Sequence, residues 1–262
     1  MTKSTMNRGI LRTHIRIACV LLIQTSAGPA AALDTIDVDS LIREVDRLYR
    51  SETSYSELEM EIVTPHWQRT LAMYGWSEGM DKTLIRITAP AKENGVATLR
   101  VENEMWNYLP KTNKVMKIPP SMMMGSWMGS DFTNDDLVKE SSLFEDYEYE
   151  IVPSEAGDDD LIYINCIPRE DLPVVWGNIV IGVRRSDHLP AWQKYYDEKG
   201  TLMRIMTYSE IKSMGGRLIP SLLEMVPQNK EGHKTVIRYL KVEFDVPLRD
   251  DVFSLRSLRS LD

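Results

Sequence analysis

Cysteine is almost absent from this 262-residue chain, which carries only Cys19 and Cys166. A disulfide framework is therefore excluded as the source of its stability. Histidine is scarce as well. Apart from His14 near the N-terminus, His66, His188 and His233 stand alone, with no partner at metal-ligand spacing and none near Cys166. No Gly-x-Ser-x-Gly elbow, phosphate-cradling Gly-Lys-Ser/Thr loop or dinucleotide fingerprint occurs. Positive charge is in deficit, with 31 Lys and Arg against 39 Asp and Glu. That balance argues against nucleic acid and against tight docking on an anionic membrane. Long apolar runs are missing too: none approaches the roughly 20 residues that span a bilayer.

The N-terminus differs from the rest. Arg8, Arg12 and Arg16 precede an apolar run from Ile17 to Ile23, followed by Ser26, Ala27 and the small residues Ala30, Ala31 and Ala32. This is the order of a secretory signal, with cleavage expected near Ala32; an uncut N-terminal anchor is the alternative. Cys19 does not fit a lipobox, because Arg16 lies three residues ahead of it and most of the apolar run follows it. Residues 1–32 are thus expected to be a signal peptide and 33–262 a single exported domain. Without Lys3 and those three arginines, 27 basic residues face 39 acidic ones, a net charge of −12. Cys166 sits in the apolar run Leu161–Ile167 and reads as a small buried filler.

Beyond the signal, Val38, Leu41, Ile42, Val45, Leu48 and Tyr49 recur at helical spacing, with Asp37 as N-cap. From Tyr55 the period becomes two. Leu58, Met60 and Ile62 alternate with glutamates, and Thr83, Ile85 and Ile87 with Leu84, Arg86 and Thr88. Similar alternation marks the stretches around Tyr147, Ile179, Met203 and Val236, with turn residues between. About eleven strands are expected, in a meandering antiparallel barrel or strongly curved sheet. The run Asp158–Asp160 lacks the spaced ligands of a calcium loop and reads as a hairpin turn. Asp250–Leu255 is expected to form a short helical turn closing one edge.

Residues 119–137 fit neither period. Two prolines open the segment and Gly125 and Gly129 break it, yet it carries Met122, Met123, Met124, Trp127, Met128 and Phe132. Loops are usually polar, and methionine adapts to variable partners. The segment reads either as a plug for one end of the β core or as a lid over a lipid pocket. With one face of each strand pointing inward, Leu71, Met73, Ile85, Ile87, Leu99, Trp106, Tyr108 and Met116 are the candidate lining residues. For any single one of them, plain core is the favoured reading over ligand contact.

The runs Met105–Pro110, Lys114–Ile118 and above all Gly129-Ser130-Asp131-Phe132-Thr133-Asn134-Asp135-Asp136-Leu137 resemble the outer-membrane lipoprotein-sorting (LolA-like) family. Ile85–Pro90, Gly95–Leu99 and Pro247–Ser254 resemble it more loosely. The resemblance implies an incomplete, strongly curved antiparallel barrel whose concave side is filled by helices and a lid. It also implies a monomeric periplasmic carrier of lipoprotein or lipid acyl chains, without enzymatic activity or cofactor. Members of this subgroup often accompany inner-membrane transporters of the resistance-nodulation-division type, which suggests a handover partner. Two other readings stand beside it. One is an interaction or sensor module of the same fold that docks through the Met-Trp loop. The other is a secreted lipid hydrolase, disfavoured by the missing nucleophile elbow.

Overall fold

The computed structural model describes residues 37–138, 143–155, 157–170 and 175–259, which fall within one compact unit. The expected signal peptide and its cleavage position lie outside the described residues. Helix α1 (Val38–Asp46) begins where expected, with the Asp37 carboxylate accepting from the Ser40 N–H at 3.2 Å. Its stripe buries Leu41, Ile42 and Val45. The helix stops at Asp46, so Leu48 and Tyr49 continue the apolar side from a turn.

Among the described residues thirteen strands follow, two more than anticipated. They are β1 (Thr53–Val63), β2 (Gln68–Glu78), β3 (Lys82–Ala89), β4 (Ala97–Val101), β5 (Glu104–Leu109) and β6 (Lys114–Lys117). After two short helices, α2 (Asn134–Val138) and α3 (Leu143–Asp146), come β7 (Tyr147–Val152), β8 (Leu161–Pro168) and β9 (Asn178–Arg184). The last are β10 (Pro190–Tyr196), β11 (Leu202–Met214), β12 (Arg217–Pro227) and β13 (Lys234–Phe244). The spatial order is β6-β5-β4-β3-β2-β1-β13-β12-β11-β10-β9-β8-β7, and the paired strands run antiparallel. Two meanders are thus joined in mid-sheet, where β1 pairs with β13 from Ser54↔Phe244 to Val63↔Lys234. The outer strands β6 and β7 do not pair with each other, so the curved sheet stays open.

That topology explains the odd composition of residues 119–137. The chain leaves one edge of the sheet at β6 and must re-enter at the other, β7, so the connection has to cross. A connection over an open β core must be apolar underneath. Trp127, 4% exposed, packs with Met60, Leu71, Met73, Ile87 and Met105. A second concave cluster packs α1 and α3 against Ile164, Cys166, Ile181 and Met225.

A third cluster lies on the opposite, convex face. Leu84, Ala97, Leu99 and Tyr108 pack against Val252 and Leu258, with Trp106 and Phe253 alongside. The C-terminal segment makes successive turns over Asp250–Arg259. It covers the face of β3–β5 rather than closing an edge. Arg86 is caught beneath it, 5% exposed, and donates to the Ser257 carbonyl at 2.7 Å.

Candidate functional site

Between the concave face, α1 and the crossing segment lies a cavity of about 360 Å³. That volume is within the range of small-ligand pockets, roughly 300–1,000 Å³. The register of β1–β4 fixes which residues share the concave face, and those of β1, β2 and the start of β3 line the cavity floor. Partners in an antiparallel ladder share a face, so the concave face reads in rows. One row is Ser54–Ser77–Thr83–Arg100. The next is Ser56–Gly75–Ile85–Thr98. Then comes Leu58–Met73–Ile87, followed by Met60 between Leu71 and Ile237. Polarity therefore falls steadily along the strands, from hydroxyls to hydrocarbon. Met206, Leu223 and Ile237 continue the apolar wall, and Tyr49, Tyr208 and Tyr239 close one side. Tyr49 and Tyr239 stack at 4.8 Å, and the Tyr49 hydroxyl donates to the Pro220 carbonyl at 2.8 Å. Burial raises the Tyr239 phenol to about 12 and the Tyr208 phenol well above its ordinary value, so both remain neutral.

Three contacts tie the crossing segment to the sheet, through Arg69, Thr98 and Thr235, and two more shape it from within. Gly129 takes a left-handed conformation, φ +76°, and a Cβ there would lie 3.4 Å from the Arg69 guanidinium. Arg69 in turn donates to the Met128 carbonyl. Ser130 is 3% exposed and its hydroxyl donates back to the Trp127 carbonyl at 2.7 Å. The Trp127 indole N–H reaches the Thr98 hydroxyl at 3.1 Å. Asp131 is tied to the fully buried Thr235, its N–H donating to the hydroxyl at 2.9 Å while its carboxylate accepts from it at 2.8 Å. Thr133 and Asp136 form a capping box at the start of α2, with Asp136 N–H to Thr133 Oγ1 at 3.0 Å and Thr133 N–H to Asp136 Oδ2 at 2.8 Å.

Asp136 then meets Arg204 of β11 in a two-pronged pair, Nη2 to Oδ1 at 2.6 Å and Nη1 to Oδ2 at 2.8 Å. The Arg204 guanidinium lies between Trp176, at 4.3 Å, and Tyr195, at 4.4 Å. Burial alone would raise the Asp136 carboxyl. The bonds and charge of Arg204, with those of Thr133, outweigh it and hold the group below the usual carboxylate range.

Of the residues singled out from the sequence, the structure brings Met73, Ile85, Trp127 and Phe132 to the cavity. Leu71 and Ile87 lie on the same face, packed into the core beside it. Leu99, Trp106 and Tyr108 face the other way, under the C-terminal segment. Alternation cannot separate the two faces here because both are covered. Met116 is 43% exposed on the edge strand β6, and Met122 and Met124 are 56% and 57% exposed. Met123 and Met128 are half-buried against the Trp127 cluster. Sequence reasoning missed Arg204, Arg50 and the hydroxyl row. Each comes from a different strand or turn, with no local spacing to reveal it. Among the described residues no cluster of His, Cys, Asp or Glu is arranged to hold a metal ion, and no helix is long and apolar enough to cross a membrane.

A family model whose description reads only "uncharacterized protein" matches residues 79–260. No curated protein matches the chain. Among solved structures, a DUF1329 family protein from Desulfovibrio piger aligns with a TM-score of 0.75 at 26% identity, covering 84% of this chain and 97% of that one. A candidate outer membrane lipoprotein-sorting protein domain from Vibrio parahaemolyticus aligns at 0.72 and 21% identity, covering 85% and 98%. A LolA superfamily protein from Nitrosomonas europaea aligns at 0.69 and 19% identity, covering 83% and 97%. The LolA-like fold anticipated from the Gly129–Leu137 motif is therefore the fold of this chain.

Proposed function

This chain belongs to the uncharacterized family matched over residues 79–260, and we propose that it is a periplasmic carrier that shelters the acyl chains of a lipoprotein or lipid during transfer between envelope membranes. The observation that carries this reading is the cavity itself, a concavity of about 360 Å³ with an apolar wall of Leu58, Met60, Met73, Ile85, Met206, Leu223 and Ile237, roofed by a clasped segment. Hydrocarbon leaving water gains roughly 0.8 kcal/mol per buried CH₂, so a dry concave wall suffices for binding and no reacting group is needed. The ionised pair inside the cavity supports binding over catalysis, because Asp136 is committed to Arg204 and Thr133. The carrier would be exported by the signal at residues 1–32, work as a monomer and hand its cargo to a membrane partner. An inner-membrane transporter of the resistance-nodulation-division type is the partner we propose. Loading requires the crossing segment and α1 to move; cargo exchange undiminished by cross-linking Trp127 to Thr98 would contradict that motion.

Native mass spectrometry with organic extraction, on protein purified from a periplasmic fraction, tests the reading. A bound lipid or acylated peptide is expected. A clean unliganded mass, with no uptake of a fluorescent fatty acid, would contradict it and favour the second reading, a docking module. That alternative draws on the exposed apolar side chains Trp67, Met122 and Met124, at 45%, 56% and 57% exposure.

A further inference from the structure

The far half of the sheet brings to the cavity one polar side chain that neither the ion pair nor the clasp uses. Gln193 of β10 shares its row with Ile181 of β9 and Met206 of β11, both apolar. It is 7% exposed and lines the cavity. Its carboxamide oxygen accepts from the Tyr195 hydroxyl at 2.5 Å. Among the described residues its amide nitrogen has no hydrogen-bond partner. A glutamine amide carries two N–H donors, and a donor kept from water costs free energy until an acceptor reaches it.

The orientation of that amide is fixed from behind. Tyr195 meets Trp176 edge-on at 5.3 Å and lies 4.4 Å from the Arg204 guanidinium, which Asp136 holds in turn. With its oxygen anchored to Tyr195, the amide is left with its N–H groups for the cavity. Beyond Gln193 the apolar wall continues strand by strand, through Met206 on β11, Leu223 on β12, Ile237 on β13 and Met60 on β1. A hydrogen-bond donor thus stands at one end of a hydrocarbon track.

We infer that Gln193 donates to the carbonyl oxygen of the ester or amide that links the cargo's acyl chain to its head group, with the chain lying over Met206, Leu223, Ile237 and Met60, an assignment that rests on the carrier reading above. A carbonyl oxygen only accepts, so it matches an amide nitrogen that only donates. A carboxylate at this end would have to share Arg204 with Asp136. A plain hydrocarbon would leave the amide unpaired.

The test is displacement of a bound fluorescent fatty acid by methyl octanoate and by nonane, in wild type and in Gln193→Met, with infrared spectra of methyl octanoate labelled with ¹³C at its carbonyl. Gln193→Met is expected to weaken methyl octanoate roughly three- to tenfold and to hold nonane as tightly or more tightly. The carbonyl stretch of the ester bound to wild type is expected below its frequency in hexane, and at the hexane frequency in the variant. Gln193→Leu is the second variant should the first not fold. An equal change for both ligands would overturn the assignment and leave the carrier reading standing. So would a wild-type carbonyl stretch at the hexane frequency, or a lowered stretch that persists in the variant. Displacement by neither ligand would remove the carrier reading as well.

Discussion

Arg204 on β11 and Asp136 on α2, 68 positions apart in the chain, form a two-pronged ion pair at 2.6 and 2.8 Å that fastens the crossing segment to the far half of the sheet. Their side chains are only 8% and 17% exposed. A buried pair of this kind adds little over a well-packed apolar pair, but losing one member strands the other charge. The clasp therefore locks the roof in one register.

Asp136→Asn is expected to cost about 3–5 kcal/mol in denaturant unfolding, because Arg204 is left unpaired. Replacing both residues with apolar ones of similar size should cost less than either single change. The acid dependence has a definite sign. Asp136 titrates below its unfolded value of roughly 3.9. Its contribution is complete above that pH and is lost as pH falls through the lowered folded value. Stability measured below about pH 4 should fall less steeply in Asp136→Asn than in wild type.

Cys166 is fully buried, and its thiol is pushed up to about 12, by burial first and by the charge of Asp46 second. Little thiolate exists near neutral pH. A disulfide-exchange reagent at pH 8 should leave Cys166 unmodified in the folded protein and modify it fully in denaturant. Rapid reaction under native conditions would show that the concave core around β8 opens readily.

Gly182 on β9 lies under the Trp192 indole, which meets Tyr163 edge-on at 4.9 Å. A Cβ at Gly182 would sit 2.4 Å from the ring. Gly182→Ala is expected to destabilise the fold by about 1–3 kcal/mol and to shift the Trp192 fluorescence. Unchanged stability would mean that the ring is free to move aside.

Leu258 is fully buried against the convex face of β3–β5. Leu258→Ala should cost about 2–5 kcal/mol in thermal or chemical unfolding. Because the residue lies on the face opposite the cavity, uptake of a fluorescent fatty acid by the folded fraction should be unaffected.

The helix at Val38, the alternating strands and the anomaly at residues 119–137 were legible because each is a local pattern. β12 was harder to read, since Pro220 interrupts it, and β10 opens on Pro190. The motif Gly129–Leu137 was legible as a family likeness, yet its structural role is that of a clasp. Of the motif, Phe132 and the Asp135–Leu137 end reach the cavity, beside Trp127 just ahead of it. Leu99, Trp106 and Tyr108 were assigned to the inside because a strand covered on both faces has two apolar sides, and the cover arrives about 150 residues later at Val252 and Leu258. The hydroxyl row could not be read locally at all. Ser54, Ser77 and Thr83 become neighbours only through the register of three strands.

The central claim is that an acyl chain lies inside the curved sheet. The most direct test is photolabelling of the protein with a fatty acid carrying a diazirine in mid-chain, followed by peptide mapping. The account predicts adducts on the inward residues of β1–β3, at Leu58, Met60, Met73 or Ile85, competed away by unlabelled fatty acid. Labelling confined to the exposed Met122 and Met124, or not competed, would contradict it.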